Sequence, residues 1–184
     1  MDALEALHNR TSFPKLTDPE PDEECLRNIY KAAFRAADHG VLRPWRFLLI
    51  KGESRHKLGE LFVKATLAEN PDTEPAALNR IRQKPMRAPL IIITISCIKE
   101  HPKVPEIEQD LSAAAATQNM LLAAFAQDIG AFWRTGSMAY SPVVAEGLAL
   151  KDNEKIISFL YLGQVSGATK NLSDPSVEDY FKQW

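Results

Sequence analysis

The ten residues "APLIIITISC" at positions 88–97 constrain the fold more than any other stretch. They are apolar on both alternating sets and rich in β-branched side chains, the pattern of a central strand covered on two sides. A chain with such a strand must supply amphipathic helices for both faces of a sheet. Two more segments read as strands, "WRFLLIKG" before it and "KIISFLYLGQV" near the end, with "AFWRTG" as a short strand or turn.

The helices are legible from their periodicity. Leu4 and Leu7 share a face of a short helix that breaks at "RTSFP". In "DEECLRNIYKAAFRAADHG", Leu26, Ile29, Tyr30, Ala33 and Phe34 recur at three- and four-residue steps, acids fill the first turn, and Gly40 is a plausible stop. "SRHKLGELFVKATLAE" places Leu58, Leu61 and Phe62 inward, and "TEPAALNRIRQKP" continues as another helix. "EQDLSAAAATQNMLLAAFAQDIG" is long and apolar nearly all round, which predicts burial against both the sheet and a second subunit. "SPVVAEGLAL" reads as a short helix capped by Ser141. The tail "SDPSVEDYFKQW" carries three aromatics in a polar segment and is expected to dock on a surface, such as that of a partner subunit.

At 184 residues without repeats or linkers, the expectation is a single domain over 1–184 with helices and strands mixed. The formal net charge is −2, and Lys and Arg are dispersed, which argues against nucleic acid and anionic membranes as partners. "MDALEALHNR" lacks the zones of a signal peptide and no apolar run reaches membrane-span length. Cys25 and Cys97 stand far apart and no histidine pair has zinc spacing, so neither a metal site nor a disulfide framework is signalled. A reducing cytoplasm is the simplest location.

No P-loop, Rossmann fingerprint, nucleophile elbow or kinase motif is present, so an enzyme of this sequence would borrow its chemistry from a cofactor. Three stretches can bind one. Arg10, Thr11 and Ser12 follow the first helix in a turn closed by Pro14, where an arginine fork and two hydroxyls can hold a phosphate. Equally, they are a surface arginine beside a turn with local hydrogen bonds. Arg35 and His39, four residues apart at a helix end, either meet a ligand or offset the helix dipole. Phe132, Trp133 and Arg134, between glycines, either cover a planar cofactor or form an aromatic core strand.

These stretches occur together in one family. "MDALEAL", "RAADHGVLRPWRF", "RAPLIIIT", "KVPEIEQDLSAAAA", "WRTGS" and "KIISFLYLG" run in order along the whole chain, which closely resembles the compact bacterial NAD(P)H nitroreductases of the FMN-dependent nitroreductase superfamily. The resemblance implies an α+β nitroreductase fold, a mainly antiparallel sheet flanked by helices in an intertwined homodimer. It also implies FMN at the subunit interface, with NADH or NADPH as electron donor. The cycle would be a ping-pong hydride transfer to FMN and on to a small acceptor, a nitroaromatic or quinone. Arg10, Thr11 and Ser12 match the phosphate and ribityl element, Arg35 and His39 match flavin contacts of the compact subgroup, and Phe132, Trp133 and Arg134 match the segment along the isoalloxazine. No catalytic side chain beyond the cofactor is expected. Reductive dehalogenation, flavin destruction and a non-enzymatic FMN-binding dimer are rival readings within the same fold. One departure stands out: Val41 and Arg43 occupy positions where larger members carry asparagine and glutamine. Those members also use basic residues near the C-terminus for the phosphate, whereas this tail has only Lys170, without a motif match.

Overall fold

The computed structural model describes residues 1–167 and 172–184, so Lys170 lies outside the described residues. Its centre is strand β3 (Leu90–Cys97), every residue of which except Cys97 is buried. β3 pairs antiparallel with β2 (Trp45–Lys51) on one side and with β5 (Glu154–Val165) on the other. β5 in turn pairs antiparallel with β4 (Gly130–Arg134) and, at its end, with the two-residue β1 (Leu16–Thr17). The sheet is therefore antiparallel throughout, as the resemblance implied.

Strand alternation divides the core into two layers. Ile91, Ile93, Ile95, Phe159 and Tyr161 face one way and pack with Leu58 and Phe62 of α3 (Glu53–Glu69) and Val144 of α6 (Pro142–Gly147). Leu90, Ile92, Leu160 and Leu162 face the other way. They meet Ile29 and Ala33 of α2 (Glu23–Ala33) and Ala116, Met120 and Leu121 of α5 (Glu106–Phe125). Helix α1 (Ala3–Asn9) carries a capping box from Asp2 and Glu5, α4 (Pro75–Arg82) starts on its proline, and α7 (Val177–Tyr180) is a single turn in the tail. One polar cluster sits inside: Thr117 on α5 donates to Thr94 on β3 at 2.9 Å, with Ser158 on β5 3.3 Å away.

Two sequence expectations need correction. Helix α2 ends at Ala33, not near Gly40. Its last amides fall back to three-residue bonds, Arg35 N–H to Ala32 and Ala36 N–H to Ala33, which tighten the turn and stop the helix. Arg35 and His39 are therefore not neighbours on one helical face. Ser141 does occupy the first position before α6, but its hydroxyl caps nothing. Within this one chain α5 buries one stripe, and Ile107 and Leu111, 62% and 59% exposed, leave free the face on which a second subunit was expected. The tail aromatics Tyr180, Phe181 and Trp184 are exposed on this chain, so the surface expected to receive them is the partner subunit's.

Candidate functional site

The site is built around the outer side of β4. Past α1 the chain crosses this strand, and the Phe13 N–H donates to the Ala131 carbonyl at 3.0 Å. That bond ties the turn of Arg10, Thr11 and Ser12, all half-buried, to β4. One terminal nitrogen of Arg10 is sealed from solvent without a partner among the described residues. A buried guanidinium nitrogen in that condition is costly unless an anion takes it.

At the far end of β4 the side chain of Arg134 turns toward the α3 side. Its guanidinium lies 4.0 Å from the centre of the Phe132 ring and 5.4 Å from that of Tyr161. Its Nε is also buried and unpartnered. Burial, with the Arg87 charge adding to it against the opposing pull of Tyr161, lowers the pKa of this guanidinium from its ordinary value. Burial also pushes the Tyr161 phenol up to about 12, so it stays neutral. These side chains line a cavity of about 300 Å³ that Lys84 and Arg87 enter from the turn before β3, and no acid among the described residues lines it. The residues converge three cations on aromatic walls, an arrangement suited to a planar anion or an aromatic carrying developing negative charge. Gly136, with φ of +66°, lets the backbone leave β4 sharply at the mouth of this cavity.

Strand alternation separates the other predicted residues. Trp133, between Phe132 and Arg134, points to the opposite layer and packs against the cluster of α2 and α5. Arg35 is exposed and borders a groove between α1 and α5 that also includes Leu7 and Leu122. His39 is exposed and its ring Nδ1 pairs with Glu108 on α5. Within this one chain, Arg10, Thr11, Ser12, Phe132 and Arg134 belong to the neighbourhood of β4, whereas Arg35 and His39 sit by α5.

The turn between α2 and β2 is tightly bent. Gly40, Val41 and Arg43 all have positive φ, at 73°, 52° and 48°. For β-branched Val41 this is a strained conformation, and its side chain is 72% exposed. Asp38 holds the turn through its carboxylate, which accepts from the Arg43 N–H at 2.7 Å, and Lys99 donates to the Leu42 carbonyl at 2.5 Å. Gln109, buried on α5, bonds both the N–H and the carbonyl of Lys99. Lys84 and Arg87 were missed in the sequence. The only signal was a pair of basic residues flanking Pro85 and Met86 just ahead of the central strand.

The sequence pattern of the nitroreductase family matches residues 7–164. The chain belongs to the nitroreductase family. It is 41% identical over 179 residues to YdjA of Escherichia coli (strain K12), covering 96% of this chain and 97% of that one. Among solved structures, the nitroreductase-like family protein of Bacillus cereus superposes with a TM-score of 0.83 at 22% identity, over 99% of this chain and 95% of the other. A Desulfovibrio desulfuricans protein solved in complex with FMN gives a TM-score of 0.74 at 23% identity, over 98% and 95%. The nitroreductase fold inferred from the motifs is thus the fold of this family member. No helix among the described residues is long and apolar enough to cross a membrane.

Proposed function

We propose that this family member is an FMN-dependent NAD(P)H oxidoreductase of nitroreductase type, acting as one domain and as a homodimer. The observation that carries the reading is the pair of buried, unpartnered guanidinium nitrogens, on Arg10 in the turn that docks on β4 and on Arg134 at the end of that strand. They suit a ligand that is anionic at one end and flat and polarisable at the other. Supporting it, YdjA is named as a candidate NAD(P)H nitroreductase and the Desulfovibrio desulfuricans protein was solved with FMN.

FMN, when bound, supplies hydride acceptance from a reduced nicotinamide and hydride donation to a nitroaromatic or quinone acceptor. Arg10 would hold the phosphate, with Thr11 and Ser12 beside it. Lys84, Arg87 and Arg134 would stabilise negative charge on the pyrimidine edge, and Phe132 would give Arg134 a fixed rest position by stacking. Trp133 acts from the core side, by holding β4 against α5. Arg35 and His39 do not line the cavity at Arg134, and in the dimer they would serve the partner subunit's copy of the site. The exposed stripe of Ile107 and Leu111 on α5, with Leu4 and Leu7 on α1, is the surface on which a second copy would sit. No side chain is required as an obligatory acid or base, since solvent supplies protons.

Purified protein is expected to be yellow, and Arg10→Ala is expected to weaken FMN retention about tenfold or more, because a charge-assisted phosphate contact is lost. Titration of flavin-stripped protein with FMN, followed by fluorescence quenching, measures it. Colourless protein that takes up no FMN would sink the reading, and unchanged affinity in the variant would remove Arg10 from the site.

A further inference from the structure

β4 ends at Arg134, opposite Phe159, while β5 begins five residues earlier at Glu154. Where β4 stops, the chain turns through Ser137–Ala139 into α6 and leaves a second cavity, of about 410 Å³. Asp110 of α5, Tyr140, Ser141, Ala145, Lys155 and Ile157 are among its walls. The Ser137–Ala139 turn separates it from the cationic cavity, with Met138 lining the first and Ala139 the second.

Two polar atoms in these walls have no partner among the described residues. One is Oγ of Ser141, a residue only 4% exposed. At this position a serine ordinarily accepts from an amide of the first helical turn, and here it does not. The other is Oδ1 of Asp110, sealed from solvent, while Oδ2 of the same carboxylate accepts from Lys155 at 3.2 Å. Lys155 also lies 3.6 Å from Glu106, so one cation is shared by two carboxylates and the local balance is negative. Glu154 adds nothing to this balance, because Arg46 holds it in a two-point pair. The cavity thus asks for a ligand that donates hydrogen bonds to Asp110 and exchanges one with Ser141, and it disfavours an anion there. Its mouth carries the ring of Tyr140, 80% exposed and free to stack. A ribose diol beside a flat base meets those terms: hydroxyls donate to a carboxylate, and a purine lies on an aromatic ring.

We infer that this second cavity binds the adenosine ribose of the dinucleotide donor through Asp110 and Ser141, with the adenine on Tyr140, and thereby favours NADH over NADPH. The inference rests on the donor reading above and deepens it. A 2′-phosphate would be placed against Asp110 and Glu106, where like charges repel.

The test has a direct binding arm and a turnover arm, both on the flavin-loaded protein. Calorimetry with adenosine 5′-monophosphate is expected to show binding, and 2′,5′-ADP is expected to bind about tenfold more weakly or less. Asp110→Asn and Tyr140→Ala are each expected to weaken adenosine 5′-monophosphate by about fivefold or more while FMN content stays at the wild-type level. Tyr140→Ala alters an exposed ring, so a loss there does not reflect misfolding. In turnover, Asp110→Asn raises the KM for NADH and leaves that for reduced nicotinamide mononucleotide, which lacks adenosine, unchanged. Binding that neither variant alters, or equal affinity for the two adenosine phosphates, overturns the inference. Protein that holds FMN and oxidises both donors with one KM also overturns it while the cofactor reading stands. Protein that holds no FMN ends the cofactor reading, and this inference with it.

Discussion

Glu154 receives four donors. Arg46 Nε and Nη2 bind it at 2.7 Å each, the Lys151 N–H at 2.9 Å, and the Cys97 thiol lies 3.4 Å away. The bidentate Arg46 pair is the largest cause of a carboxyl pKa held down to about 2. Burial, followed by the hydrogen bond to Glu154, pushes the Cys97 thiol up to about 11, so it is not a nucleophile at neutral pH. A carboxylate whose pKa is lowered on folding adds stability that is complete above its unfolded value, near 4.5, and fades as pH falls toward 2. Glu154→Gln is therefore expected to cost on the order of 2 kcal/mol at pH 7. Urea denaturation at pH 7 and at pH 3 checks it, since the gap to wild type should narrow by about half or more at the lower pH. Arg46, at the entrance to the sheet, is thus a structural residue, while its neighbour Arg43 is exposed and contributes to the turn through its backbone N–H.

At the scale of elements, the packing of α3 on α4 depends on Gly59. A β-carbon there would fall inside van der Waals contact with the Arg82 carbonyl at the end of α4. The same contact is tied across by Arg82 and Glu60 at 2.5 Å. Gly59→Ala is expected to push the helices apart and destabilise by about 1–3 kcal/mol, a fall in Tm of several degrees by differential scanning calorimetry. Gly59 sits mid-helix in an otherwise regular periodic segment, and sequence alone gives no reason to prefer it over alanine. The end of α2 is hidden from the sequence for a related reason. Arg35, Ala36 and Ala37 are good helix formers, so local propensity continues the helix, yet its last amides bond back three residues and the Asp38 turn diverts the chain toward β2. The pairing of Arg35 with His39 depended on that continuation. His39 went instead to Glu108, 69 residues away, which no local rule could show.

At the scale of the whole molecule, α5 is covered on one face only within this chain. Its inner stripe, from Gln109 to Ala124, is buried by the sheet and α2, and its outer residues Ile107 and Leu111 are left to solvent. If a second copy covers them, Leu111→Glu should give monomers by sedimentation velocity and lose bound FMN in parallel, with the far-ultraviolet circular dichroism unchanged. Monomers that keep full FMN would place the whole cofactor site within one chain. Wild-type protein that is already monomeric would rule out the dimer.

The sequence by itself determined the kind and order of the main elements, because two-faced strands and stripe-faced helices follow from hydrophobic period alone. It also placed Arg10, Thr11 and Ser12 in a turn and Phe132 to Arg134 in a short extended segment. Only the tertiary structure decided which of these meet. Register on β5 sends Phe132 and Arg134 to one layer and Trp133 to the other, and the docking of Phe13 on Ala131 carries Arg10 to the same strand. Lys84 and Arg87 reach Arg134 from some fifty residues earlier in the chain, and Asp110 shares a cavity with Ser141 across the layers. Such meetings depend on long-range packing, to which residue type and local spacing are blind.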